Sequence, residues 1–386
     1  MIMDTISREQ FLGLANVKSD RCITIYMPTH RSGFEVNEKQ DRLLYKNILK
    51  NVEKQVLDSG GDKADIQQLL KPSYELLDNK EFWYKLDYGL ALFITADSFL
   101  VKKLPISIKE EVYVNNTFYL TPIFPLLNND IHFYVLAISK NATAFYRGTA
   151  FSIEELSIEG LPRGMDDVIH FEEKSGQRLF RAGGSPATGI GSAHGHDAGL
   201  ADEEEYVAAY LKEVDQTLWK EKLGNEKAPL LLAGVAYMAA KYRQISRYGN
   251  IVPEYLAGNY ERVDTHIIFE KSRNMMIPFL KKPARSALAN YYNNLGGGTS
   301  CDDFSKVITA SFFGQVENLF VKERSHAWGK FDKDRNQVTL HTEKEYGDEC
   351  LVNQAIIHTI QNGGNIYVLS EEEMPDAKLL VASLRY

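Results

Sequence analysis

The chain has 386 residues, of which 44% are hydrophobic and 25% charged, and a formal net charge of −8. That length suggests two or three domains of an ordinary globular composition. No apolar run approaches the roughly 18 residues needed to span a membrane, and an acidic chain offers nucleic acid no global field, so any RNA contact must come from local patches. Met1 to Gln10 lacks the apolar core of a signal peptide. Cys22, Cys301 and Cys350 lie far apart and form neither a metal pair nor a disulfide framework. A reduced cytoplasm is the expected compartment.

The first segment opens with a strand over Arg21–Met27, ended by Pro28 and followed by a polar loop. A helix is expected from Asp41 to Leu57, with Leu44, Ile48, Val52 and Val56 marking its buried face. Lys39, Arg42, Lys46, Lys50 and Lys54 recur at nearly the same spacing and form a basic stripe. Such a stripe is either a solvated helix face or a set of phosphate contacts, which need positioned cations and no base reading. A second helix over Asp65–Leu77 follows Gly60-Gly61. Strands return over Tyr88–Thr95 and Ser98–Leu104, with an extended stretch through Tyr119.

A second segment begins near Asp130. Phe133–Ser139 and Ala142–Arg147 read as a hairpin, with a third strand near Ser152–Leu156. A long helix over Glu203–Leu223 precedes an apolar run, Leu230–Val235, expected of a buried central strand. Another helix covers Val263–Phe279, and Lys281-Lys282-Pro283 marks a junction. Beyond it, helices are expected over Ala284–Leu295, Cys301–Ser311 and Asp348–Asn362, the last closed by Gly363-Gly364. Strands are expected over Val316–Lys322, Ile366–Leu369 and Leu379–Leu384. This alternation implies a small α/β sandwich. Three consecutive α/β domains follow, over 1–129, 130–283 and 284–386.

Between the third strand and the long helix of the middle segment lies a glycine-rich stretch, Gly183 to Gly199. Glycine at this density favours neither helix nor strand, and a long irregular loop in a compact domain usually has a use. Arg178 and Arg181 stand just before it. It lacks the GxxxxGK[ST] pattern of a phosphate cradle. His194, His196 and Asp197 offer three metal ligands, but neighbouring loop residues seldom converge on one ion without help from elsewhere. No metal or cofactor is implied. Two readings stand: a surface loop, or a loop that orders on a large partner. His30-Arg31, at a strand end, is either a functional polar pair or a capped turn. The 21 tyrosines suit base stacking and ordinary packing alike.

The order of these segments resembles the archaeo-eukaryotic peptide-chain release factors and their ribosome-rescue relative Pelota, and more closely a bacterial offshoot of that superfamily. Cys22–Met27 followed by Pro28 is similar to the opening strand of the family's decoding domain. Asn37 to Leu43 lies where the family carries its Asn-Ile-Lys-Ser codon-reading tip, and only Asn37 and Lys39 match. The family's Tyr-x-Cys element falls near Tyr119-Leu120-Thr121, with the cysteine replaced. Phe133–Arg147 resembles the opening hairpin of the middle domain, and Leu231-Ala233-Gly234 a passage of its central strand. Gly183-Gly184 stand at the Gly-Gly-Gln loop, but Ser185 occupies the glutamine position. Asp348–Leu384 resembles the C-terminal domain.

The resemblance implies a ribonuclease-H-like middle domain and an L7Ae-like α/β/α C-terminal sandwich. It implies the ribosome and tRNA or rRNA as partners, with a translational GTPase a further candidate and no membrane. The loop would meet the tRNA acceptor end, with Gly183, Gly184, Arg178 and Arg181 on RNA and Lys39, Arg42, Lys46 and Lys50 as a second contact. Backbone N–H groups of a glycine loop can stabilise an oxyanion, and Ser185, His194 or His196 could orient or activate water for ester hydrolysis. Pelota lacks the Gly-Gly-Gln triplet and acts by binding, so two alternatives stand beside ribosome or tRNA binding: a peptidyl-tRNA or other ester hydrolase, and a protein scaffold without RNA affinity.

Overall fold

The computed structural model describes residues 6–31, 33–58, 60–127, 131–168, 197–345 and 347–386. The chain is a mixed α/β protein with two compact units, one of residues 129–281 and one uniting 2–128 with 282–386.

After helix α1 (Arg8–Ala15), the N-terminal segment builds an antiparallel sheet. Its strands are β1 (Cys22–Pro28), β2 (Gly89–Ile94), β3 (Phe99–Leu104) and β4 (Glu111–Asn115), in the order β3-β2-β1-β4. Helices α2 (Phe34–Asn37), α3 (Gln40–Asp58), α4 (Lys63–Asp78) and α5 (Lys80–Trp83) connect β1 to β2. Along α3 the apolar stripe includes Tyr45, Ile48, Leu49, Val52 and Val56. These pack with Ile23, Ile25, Leu90 and Leu92 of the sheet. Leu44, expected in that core, is only half-buried, because the stripe runs through Tyr45 instead.

The middle unit has a five-stranded sheet of β5 (Phe133–Ile138), β6 (Thr143–Gly148), β7 (Ile153–Glu155), β8 (Leu230–Gly234) and β9 (Ile251–Ala257). The order is β7-β6-β5-β8-β9, antiparallel through the hairpin and parallel from β5 to β9. This mixed sheet agrees with the ribonuclease-H-like architecture expected of the segment. Helices α6 (Asp197–Glu221) and α7 (Ala236–Ile245) cover one face through Val207, Leu211, Val214 and Met238. Helix α8 (Thr265–Leu280) covers the other through Ile268 and Met276. The hairpin closes tightly: a Cβ on Gly148 would lie 2.4 Å from the Phe133 ring. Two elements escape the sequence reading. Strand β9 contains Pro253 and lies at the sheet edge with a broken burial pattern, and α7 is short. Helix α6 begins at Asp197, six residues earlier than the charge pattern suggests.

In the C-terminal segment, β10 (Ser300–Cys301), β11 (Val316–Lys322), β15 (Asn365–Leu369) and β16 (Leu380–Leu384) form a sheet in the order β10-β16-β11-β15. Helix α9 (Lys282–Asn293) packs on one face through Ala287 and Tyr291. Helices α10 (Phe304–Phe312) and α11 (Leu351–Gln361) pack against the same sheet through β16 and β11. Cys301 belongs to a strand rather than to the expected helix, which starts only after Asp303 accepts the Lys306 amide at 2.8 Å. Gly363 ends α11 with φ +74°, a conformation glycine adopts without penalty. A further small sheet of β12 (Trp328–Asp332), β13 (Gln337–His341) and β14 (Glu349–Cys350) has no sequence counterpart above, since its hairpin is largely exposed.

The N- and C-terminal segments meet on the second face of the first sheet. There Tyr26 donates to Tyr119 O at 2.6 Å, and Tyr119 N donates to Thr24 Oγ1 at 3.1 Å. Asn353 of α11 is 1% exposed. Its Oδ1 accepts from Leu120 N at 2.8 Å, Thr121 N at 3.1 Å and Thr121 Oγ1 at 3.2 Å, and its Nδ2 donates to Phe118 O at 3.1 Å. Tyr113 stacks on Trp328 at 5.7 Å, and the Lys344 ammonium lies 4.7 Å from the Tyr113 ring. His326 stands 3.2 Å from Glu111 across the same junction.

Candidate functional site

The basic stripe takes shape where α2 turns into α3. Gly33 (φ +114°) starts the short helix α2, and Lys39 links it to α3 with φ +57°, an uncommon left-handed conformation for a residue with a Cβ. The turn is anchored by Asp41, whose carboxylate is 6% exposed. It accepts from the His30 backbone N–H at 2.8 Å and lies 2.7 Å from His30 Nδ1. His30 is therefore the capped-turn alternative of its sequence reading, holding the loop after β1 onto the start of α3.

Lys39, Arg42 and Lys80 share a shallow pocket with Val36, Trp83 and Tyr84. Arg42 is partly committed to structure. Its Nε donates to Leu77 O at 2.8 Å and its guanidinium to Asp78 at 3.3 Å, so it caps the C-terminal end of α4, where a cation is favoured. Trp83 donates from Nε1 to Leu76 O at 3.0 Å and packs 5.1 Å from Tyr45, which fixes one wall. Tyr84 and Phe34 remain open to solvent, at 57% and 67% exposure. Lys46, Lys50 and Lys54 continue as exposed residues one turn apart along α3. The result is a row of cations ending beside an exposed aromatic ring, Tyr84.

Lys80, Trp83, Tyr84 and Phe34 were missed in the sequence. The signal that could have found the first three is the run Lys80-Glu81-Phe82-Trp83-Tyr84-Lys85, aromatic residues bracketed by lysines. The remaining expected site residues, Arg178, Arg181, Gly183, Gly184, Ser185, His194 and His196, lie outside the described residues. The structure brings Lys39 and Arg42 together and sets Lys46 and Lys50 on the same helix. Among the described residues no cluster of three or more His, Cys, Asp or Glu could hold a metal ion, and no helix is long and apolar enough to cross a membrane.

Electrostatics differ at the junction of the N- and C-terminal segments. Burial pushes the Glu111 carboxyl up and the His326 imidazole down. Burial likewise lowers the Lys344 ammonium, against the opposing charge of Asp348. Burial would raise the Asp348 carboxyl too. The Glu345 backbone N–H and the His341 imidazole, 2.8 Å away, outweigh it and hold the carboxyl below its usual range.

These features define a class: an α/β protein whose middle unit is a mixed five-stranded sheet and whose N-terminal segment exposes a basic and aromatic surface. Residues 133–278, the strands and helices of the middle unit, match the family model described as "Bacterial archaeo-eukaryotic release factor family 7". No curated protein sequence matches the chain. Among solved structures, it is similar to an archaeal translation termination factor, aRF1, at 14% identity, with 99% of each chain covered and a TM-score of 0.22. It is similar to Archaeoglobus fulgidus Pelota at 12% identity, covering 77% of this chain and 79% of that one, with a TM-score of 0.33. It is also similar to S. cerevisiae Dom34, a translation termination-like factor, at 10% identity, covering 75% and 72%, with a TM-score of 0.33.

Proposed function

We propose that the protein binds the ribosome with its tRNA, in rescue or quality control of stalled translation. The match of residues 133–278 to a release-factor family model carries this reading. It treats 1–129, 130–283 and 284–386 as three domains, and each segment's strands pair within that segment. The Gly183–Gly199 stretch meets the tRNA acceptor end, with Arg178 and Arg181 on phosphate. Lys46, Lys50 and Lys54 run along an RNA backbone, while Lys39, Lys80 and Tyr84 receive an unpaired stretch whose bases stack on the exposed rings. Arg42, tied to Leu77 and Asp78, positions the turn and adds its remaining donors. The reading is one of binding rather than hydrolysis, because Ser185 stands where the family's water-positioning glutamine belongs. A GTPase partner would act on the C-terminal domain, and the compartment is the cytoplasm.

Co-sedimentation with stalled ribosomes tests this reading. Deleting residues 183–199 is expected to reduce binding at least tenfold. Lys46→Glu with Lys50→Glu and Lys54→Glu is expected to do the same and to flatten the salt dependence, since phosphate contacts release counterions. Wild-type protein that fails to co-sediment with stalled ribosomes would overturn the proposal.

A further inference from the structure

The middle unit carries a cleft of about 300 Å³. It opens at the carboxyl end of β5, beside the loop that leads from β9 to α8, the kind of position at which open α/β sheets bind ligands. Ala137, Ala142 and Ala144 line it and leave the space. Tyr146 also lines it and is 5% exposed, with its ring in the core between sheet and α8. The Tyr146 hydroxyl has no hydrogen-bond partner among the described residues. Burial, and then the charge of Glu155, push this phenol up to about 12, so it stays protonated and can both donate and accept.

Two carboxylates border the same space. Glu155 is the β7 partner of Tyr146 in the strand register and forms no ion pair among the described residues. Glu261 accepts from Asn141 Nδ2 at 3.3 Å through one oxygen, and its charge reaches Tyr210, which is hydrogen-bonded to Thr143. Asn141, at the turn before β6, and Tyr146, within it, hold the two carboxylates at opposite ends of the segment Thr143–Tyr146, which spans roughly 10 Å. Among the described residues no lysine or arginine lines the cleft. Carboxylates that far apart do not converge on one metal ion, which needs about six oxygens around a single point. They suit a flexible chain with a positive charge at each end, its methylenes against the alanines.

We propose that this cleft binds an aliphatic oligoamine, with one ammonium group between Glu155 and the Tyr146 hydroxyl and the other at Glu261. This inference is independent of ribosome binding.

Isothermal titration of the full chain with spermidine tests it. Saturable binding at one site is expected. Glu155→Gln and Glu261→Gln should each weaken it at least tenfold, and Tyr146→Phe about threefold. Thr265→Lys, which tethers an ammonium at the mouth, should abolish it. Glu213→Gln, an exposed carboxylate on α6, should leave it unchanged. Circular dichroism of each variant confirms folding, and the exposed Glu155 makes its variant the safest. Three results would overturn the proposal: no saturable binding, equal weakening by Glu213→Gln, or displacement of spermidine by equimolar Mg²⁺.

Discussion

Two sheets of this protein are covered on both faces, by different means. The middle sheet is sealed by apolar side chains of its own segment, α6 and α7 on one face and α8 on the other. One face of the N-terminal sheet is sealed the same way, by α3 and α4. Its second face is closed by the buried rings of Tyr26, Phe93 and Phe118 together with directed hydrogen bonds through Tyr26, Thr24 and above all Asn353, which comes from a helix more than 200 residues away in sequence. Apolar packing tolerates a range of similar shapes. A buried amide that satisfies three donors and a carbonyl tolerates far fewer, because each abandoned partner bears its full desolvation penalty.

The largest expected effect separates the two seals. Leu232→Ala, at the centre of the middle sheet, should destabilise by about 2–5 kcal/mol. Hydrogen exchange should then speed up in 133–138 and 230–257 while 113–121 stays protected. If both regions loosened equally, the seals would not be independent. Asn353→Ala follows, at about 2–3 kcal/mol, for the unpaired amides of Leu120 and Thr121. Its exchange should rise in 113–121 and 351–360, with the middle unit unchanged. Tyr26→Phe removes a single donor to Tyr119 O and should cost about 1 kcal/mol in urea denaturation.

The smallest effect is a pH dependence confined to the hydrogen-bonded side. Burial lowers both His326 and His358. A histidine depressed in the folded state leaves stability intact above the unfolded value, about 6.5, and loses it as pH falls towards the folded value. The urea midpoint should therefore drop between pH 7.5 and 5.5. His326→Gln combined with His358→Gln should flatten that slope, and an unchanged slope would remove both residues from the account.

The difference between the seals also explains what could be read in the sequence. Where a core is apolar and periodic, as along Ile48, Val52 and Val56 or in Leu230–Gly234, the elements are legible to within a few residues. The β12–β13 hairpin is not, because its strands are mostly exposed and carry no clear alternation. The association of the first and third segments is not legible either. It depends on one asparagine, and on Tyr113 stacked against Trp328, residue types that occur everywhere and announce no partner. At the candidate site the lysine stripe was readable from spacing. The aromatic end was not, because Trp83 and Tyr84 lie about 40 residues further on and meet Lys39 and Arg42 only through folding.

The contact between Asn353 and Leu120 spans 233 residues. A nascent chain grows at about 5–20 residues per second, so the second face of the first sheet waits roughly 10–50 s after Leu120 is made before its cover exists. During that interval Tyr26, Phe93 and Phe118 belong to a half-finished surface, while the middle unit can already complete itself. Synthesis therefore reverses the order of the chain: the second segment can mature before the first, and the newborn protein depends on its last residues to protect its earliest ones.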